Sequence, residues 1–247
     1  MSDVCLEKFR CLRQAALRLR RKPPVRLFAT AVCAYPSPKN GGFMMIKKWQ
    51  QLKALLAAKN SGNLGDFAIL KSDLLGAKVA PEVADKLRSV EGYYPPIDLE
   101  KLSQYPQGSF GREYAEHMQI NHLQPLNISP ELDDVAKRNV FGLRYVVTHD
   151  IFHVLLGFDT SYAGEIGVLA FAAAQNYSNA LKISLWLAKL LYSLLAPQQV
   201  KAIFANLQKG RELGNKAEFL LGYRFEDHWQ EPIKNVREHL GLRPNLS

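Results

Sequence analysis

Past residue 45, apolar side chains recur at intervals of three and four far more often than two, which is the period of helices packed on one face. The pattern predicts an all-α chain, a helical bundle of about eight helices. Residues 46–60, IKKWQQLKALLAAKN, are amphipathic and end at Ser61 and Gly62; residues 64–76, LGDFAILKSDLLG, follow with Gly76 as closing cap. A short helix starts near Pro81, where a fixed φ suits the first turn. Residues 92–109 carry three of the 13 prolines and predict a loop with one short helical turn. The next helix begins at Ser109 and ends near Met118. Ser129, Pro130 and Glu131 then mark a strong start, with Asp133 and Asp134 complementing the helix dipole. From there the pattern predicts one unbroken helix to Gly157, about seven turns long. Apolar segments 165–177 and 180–196 come next, then 197–213 from Pro197, then a closing pair at 217–229 and 232–240.

Charge divides the chain in two. Residues 1–50 hold 11 Lys and Arg against Asp3 and Glu7, which accounts for the whole net charge of +9 and leaves 21 basic and 21 acidic side chains beyond them. A nucleic-acid groove needs its basic excess on the folded body, so no nucleic-acid partner is expected. Residues 1–45 read as a basic leader joined to one all-α domain, 46–247. Leu6, Phe9, Leu12, Ala16 and Leu19 recur at helical spacing among arginines, as in a targeting peptide or a membrane-surface arm. An inert tail, with Met44 or Met45 as the natural start, is the other reading. Cys5, Cys11 and Cys33 all fall in this leader, so the body offers neither a disulfide framework nor a thiolate metal site.

The chemistry concentrates in His149, Asp150 and His153, a His-Asp-x-x-His run within the long predicted helix, with Glu165 following after eleven further residues. Residues i and i+4 share a helical face, so both imidazoles can reach one ion, and a carboxylate from the next helix can close the site. Residues 157–164, with a glycine at each end, have the length for such a reversal. Two histidines and one carboxylate form a catalytic zinc set with an open position, and equally the facial triad of non-haem iron. Asp150 is either a fourth ligand or the residue that orients an imidazole or moves a proton. Burying four ionisable groups among Val146, Ile151, Phe152 and Leu155 without a partner would be costly.

Three segments in order, PQGSFGREYAEHM (106–118), THDIFHVLLGFDTSYAGEIGVLAF (148–171) and GYRFEDHWQEPIKNVREHLGL (222–242), resemble the coenzyme Q biosynthesis protein four family. His-Asp-x-x-His-x(11)-Glu is that family's metal motif, intact here as His149, Asp150, His153 and Glu165. The resemblance implies a part in ubiquinone or prenylquinone biosynthesis: loss, or oxidative replacement, of the C1 carboxylate of a polyprenylated hydroxybenzoate. It implies a divalent metal, with zinc placed first and iron(II) or magnesium as alternatives. The implied partners are the polyprenylated quinone precursor, other quinone-biosynthesis proteins and a membrane surface, with a homodimer also allowed. The implied location is peripheral on the quinone-bearing membrane, at the matrix face of the mitochondrial inner membrane or the cytoplasmic face of a bacterium. The alternative role is a lipid-binding scaffold with a structural metal.

Chemically, losing carbon dioxide leaves electron density on a ring carbon, so an ion holding the substrate's oxygens and a nearby proton donor, for which Asp150 is the candidate, suit the reaction. An isoprenoid tail needs an apolar trough, and residues 166–196 are apolar on most sides, as core or as core plus a lipid-facing surface. Arg112 is either an anion-binding residue or half of a structural ion pair. Tyr223, Arg224, Trp229 and Arg237 are expected to anchor the C-terminal helices. His117, His122, His228 and His239 have no spacing that suggests a ligand set.

Overall fold

The computed structural model describes residues 51–242 apart from 61, 75–78 and 80. The leader with its three cysteines and the Gly76 cap lie outside the described residues. Among the described residues the chain is all-α, with twelve helices, no strand and one isolated bridge between Ser109 and Pro232. The helices are α1 (51–60), α2 (Leu64–Leu74), α3 (Pro81–Leu87), α4 (Leu99–Ser103), α5 (Phe110–Ile120) and α6 (Asp133–Arg138). They continue as α7 (Val140–Val147), α8 (His149–Leu156), α9 (Tyr162–Ala174), α10 (Asn179–Leu195), α11 (Val200–Lys216) and α12 (Ile233–His239).

Ser109 caps α5 as its sequence predicts, its hydroxyl accepting from the Arg112 N–H. The unbroken helix to Gly157 does not form. Asn139 leaves helical geometry at φ −115° and ψ 60°, and its side chain accepts from Gly142 N at 2.9 Å to cap α7 afresh. Thr148 then bends the chain at φ −101° and ψ 0°, its hydroxyl donating to the Arg144 carbonyl at 2.6 Å. Asn and Thr side chains compete with the backbone for its own hydrogen bonds, which hydrophobic spacing cannot register. Residues 217–229 also depart from a helix, folding instead as two 3-10 turns, Leu220–Gly222 and Phe225–His228. The carbonyls there serve other partners: Tyr223 O accepts from Arg144 at 2.8 Å and Trp229 O from Gly111 N at 2.8 Å.

The main core gathers Phe110, Tyr114, Phe152, Phe171 and Phe225, all at most 1% exposed. Trp229 packs on Phe110 and Tyr114 at 4.7 and 5.2 Å between centroids, and Arg237 donates to the Val154 and Leu155 carbonyls, so the C-terminal residues anchor as expected. Helix α9 runs through this core against α11, whose glycines permit close approach. A Cβ at Gly210 would stand 2.2 Å from Gly167 O, and one at Gly214 2.6 Å from Phe171 O. The apolar stretch 166–196 therefore divides. Its first half is core, whereas α10 buries no residue at all. Ile183, Trp186, Leu187, Leu190, Leu191 and Leu194 on α10 are each more than half exposed, at a spacing that forms one stripe. Among the described residues no single helix is long and apolar enough to cross a membrane.

Candidate metal centre

The bend at Thr148 makes His149 the first residue of α8, and His153 follows one turn later on the same face. Gly157 ends the helix at φ 67°, a left-handed cap that suits a residue without Cβ. The chain then reverses through a short loop in which Asp159 accepts from Ser161 N at 3.1 Å. Ser161 caps α9 through Gly164 N at 3.2 Å, which sets Glu165 in the first turn, facing back toward the histidines.

The three side chains converge. His149 Nε2 lies 3.6 Å from Glu165 Oε2, and His153 Nε2 lies 3.5 Å from Glu165 Oε1. One donor atom from each residue falls within 4.8 Å of the others, the one group of this kind among the described residues. Two ligands about 2.1 Å from a shared ion stand roughly 3.4 Å apart in tetrahedral geometry, so these separations fit a cation between them. The His153 tautomer fits as well. Its Nδ1 lies 3.2 Å from the Phe158 carbonyl and donates to it, which leaves the Nε2 lone pair facing Glu165. That Nε2 is buried without a hydrogen-bond partner, as suits a nitrogen whose lone pair is meant for a metal.

Asp150 faces the other side of His149, with Oδ1 3.8 Å from Nδ1. Burial alone would depress the His149 imidazole, but contact with Asp150 and the charges of Glu165 and Asp150 outweigh it and hold the pKa above its ordinary value. Burial would raise both carboxyls. Contact with His149 and the charges of His149, His153 and His117 instead keep Asp150 low, and contact with His153 and the histidine charges keep Glu165 low. The converging donors are thus two imidazoles and the Glu165 carboxylate, with the Asp150 carboxylate behind His149, chemistry suited to a divalent cation. Tyr145 stands edge-on to His149, 6.1 Å between centroids, and burial, with Glu165 and Tyr192 adding, pushes its phenol up.

Sequence spacing overlooked His117. From α5 its ring lies parallel to His153, 6.0 Å between centroids with planes 20° apart. Burial first, then the charge of His153, lowers its pKa against the opposing pull of Asp150 and Glu165. Helix–helix packing of α5 on α8 brings it there, and neither helix alone encodes that register. His122, His228 and His239 stand apart from the metal group. Arg112 is half of an ion pair with Glu116 at 2.5 Å and also donates to the Ser103 carbonyl.

Fold and site together define an all-α protein with a two-histidine, one-carboxylate candidate metal centre. Residues 94–245 match the family model of the coenzyme Q (ubiquinone) biosynthesis protein Coq4, and the chain belongs to that family. It is 32% identical over 151 residues to the mouse ubiquinone biosynthesis protein COQ4 homolog, mitochondrial, covering 60% of this chain and 55% of that protein. The human homolog of the same description is 31% identical over 157 residues, covering 59% and 55%. The chain thus spans a little over half the length of these relatives. A crystal structure of a candidate ubiquinone biosynthesis protein from Nostoc punctiforme superposes with a TM-score of 0.59 at 24% identity, covering 84% of this chain and 100% of that one, and supports the fold.

Proposed function

We propose that this chain acts in ubiquinone biosynthesis as a metal-dependent enzyme that removes the C1 carboxylate from a polyprenylated hydroxybenzoate, oxidatively or by simple decarboxylation. The observation that carries this reading is the convergence of His149 Nε2, His153 Nε2 and the Glu165 carboxylate, with tautomers and charges set for a cation. A bound divalent ion, zinc first and iron(II) or magnesium otherwise, supplies Lewis acidity toward the substrate's oxygens. His149, His153 and Glu165 would hold the ion. Asp150, beside His149 Nδ1, keeps that imidazole oriented, joins the ligands, or holds the proton that the ring carbon needs once the carboxylate has left. The His149 and Glu165 side chains are 28% and 29% exposed, so the centre remains reachable from outside.

The neighbouring helix supports a lipid substrate. Tyr192 of α10 packs on Tyr162 at the start of α9, 5.0 Å between centroids, so the helix that carries the exposed apolar stripe lies against the helix that carries Glu165. Segment 179–216 carries six Lys and Arg against Glu212 alone, which suits an anionic membrane surface. The names of the mammalian relatives favour a mitochondrial location.

The scaffold reading has one observation in its favour. A cleft of about 390 Å³ is lined by Glu218, Phe219, Tyr223 and His239, and neither it nor the small cavity beside Tyr94 and Glu226 includes a donor of the centre. Metal analysis of protein purified without chelator, combined with turnover of a prenylated hydroxybenzoate on vesicles under air and under nitrogen, tests both readings. Carbon dioxide release by metal-loaded protein, lost in Asp150→Asn more than metal content is, supports the enzyme; oxygen dependence marks the oxidative route. Retained metal with no turnover under either gas supports the scaffold.

A further inference from the structure

His117 carries an unanswered donor. Its Nε2 is buried and has no hydrogen-bond partner, while its Nδ1 lies 3.5 Å from Asn121 Nδ2. Asn121 is fixed from two other sides: its Oδ1 accepts from the Thr160 hydroxyl at 3.0 Å, and its Nδ2 donates to the His117 carbonyl at 2.8 Å. The amide can therefore offer only N–H to the ring, which makes Nδ1 the acceptor and leaves the proton of the neutral imidazole on Nε2. A buried N–H without an acceptor costs about 1–3 kcal/mol, a penalty that a bound acceptor would lift.

We propose that His117 is a ligand-binding residue of the metal centre, its Nε2–H donating to the oxygen, of water or of a carboxylate, that completes an ion held by His149, His153 and Glu165. The inference rests on the metal-centre reading and adds a residue to it. Two observations carry it. The ring stacks over the ligand imidazole of His153, so it forms a wall of the centre. It nonetheless falls outside the group whose donor atoms lie within 4.8 Å of one another. A donor to an ion-bound oxygen belongs at such a remove, because an ion–oxygen bond of about 2.1 Å followed by a hydrogen bond of about 2.9 Å puts the nitrogen roughly 4 to 5 Å from the ion. The tautomer separates this role from two others: with its proton on Nε2, the ring is neither a direct ligand through that atom nor a base toward the centre.

The test reads the ion directly. Full-length protein is loaded with cobalt(II), and its visible bands are followed as 4-hydroxybenzoate is added. His117→Phe keeps the ring and removes the donor, His117→Leu removes the donor with different packing, and His117→Gln can restore an N–H. The expected result is cobalt uptake equal to wild type in all three variants, with 4-hydroxybenzoate bound about tenfold more weakly by H117F and H117L and recovered by H117Q, the loss of one charge-assisted hydrogen bond. Equal carboxylate affinity in H117F and wild type overturns the role of His117 alone. Loss of cobalt from H117F and H117L overturns it in favour of direct ligation or packing support. A wild-type chain that takes up no cobalt overturns the metal-centre reading and this inference with it.

Discussion

At the scale of single residues, His149 and Glu165 come from different helices inside an already sizeable core, so an ion would join them without creating the fold. His149→Ala and Glu165→Ala are each expected to abolish metal retention, read by elemental analysis, while circular dichroism keeps the helical signal. Global unfolding of the chelated wild type at room temperature would make the ion structural instead. Titration gives a second expectation for the metal-free chain. His149 is raised above its ordinary 6.5, so its stabilisation is complete below that value and is lost as pH rises through the folded pKa. His117 is lowered, so its part is present above 6.5 and lost as pH falls through its folded pKa, with the carboxyls of Asp150 and Glu165 following at more acid pH. Chelated protein should therefore melt highest near the ordinary histidine value and lower on both sides. Bound metal needs neutral imidazoles, so loaded protein should instead gain as pH rises across that window. A melting temperature flat from acid to alkaline would sink this account. That His149 and His153 share a face was legible from sequence because i, i+4 spacing is a property of one helix. His117 was not, because its place depends on how α5 crosses α8.

At the scale of elements, the hydrophobic period located most helices, including α9, α10 and α11 at nearly their observed limits. It failed where a polar side chain recaps the backbone, at Asn139, and where carbonyls are claimed from outside, in residues 220–228. It also missed the glycine seam, since small residues signal nothing until a second helix lies against them. Gly210→Val would drive a side chain into the Gly167 carbonyl and part α9 from α11. A loss of about 1–3 kcal/mol is expected from the overpacking, with metal affinity falling as Glu165 shifts; urea melts and cobalt titration measure both. Helix α10 makes the opposite prediction, because its outward stripe contributes nothing to the core. Replacing Trp186 and Leu190 with Ser should leave the melting temperature nearly unchanged yet weaken flotation with anionic vesicles, at low and high salt alike. Unaltered flotation would return the stripe to some other partner.

At the scale of the whole molecule, the all-α class was legible because it is the sum of local periods, whereas the long-range ties were not. Chief among them is Arg144, fully buried, which donates to Glu226 at 3.0 Å, to Tyr93 O at 3.0 Å and to Tyr223 O at 2.8 Å. Its apolar surroundings, Leu143 and Val146, gave no hint of a charge that joins three distant segments. Arg144→Ala should cost about 3–5 kcal/mol by stranding Glu226, seen as a lowered denaturation midpoint; a loss below 1 kcal/mol would mean that water reaches the pair. Arg237 completes the arrangement by holding the Val154 and Leu155 carbonyls, the last turn of the helix that bears His153. These ties give the centre a history as well as a shape. While the chain is being synthesised, His149, His153 and Glu165 emerge well before Glu226 and Arg237, the residues that pin their helices in place. The three candidate donors are thus all present before their geometry is fixed, so an ion held between them would be loaded only late in the making of the protein.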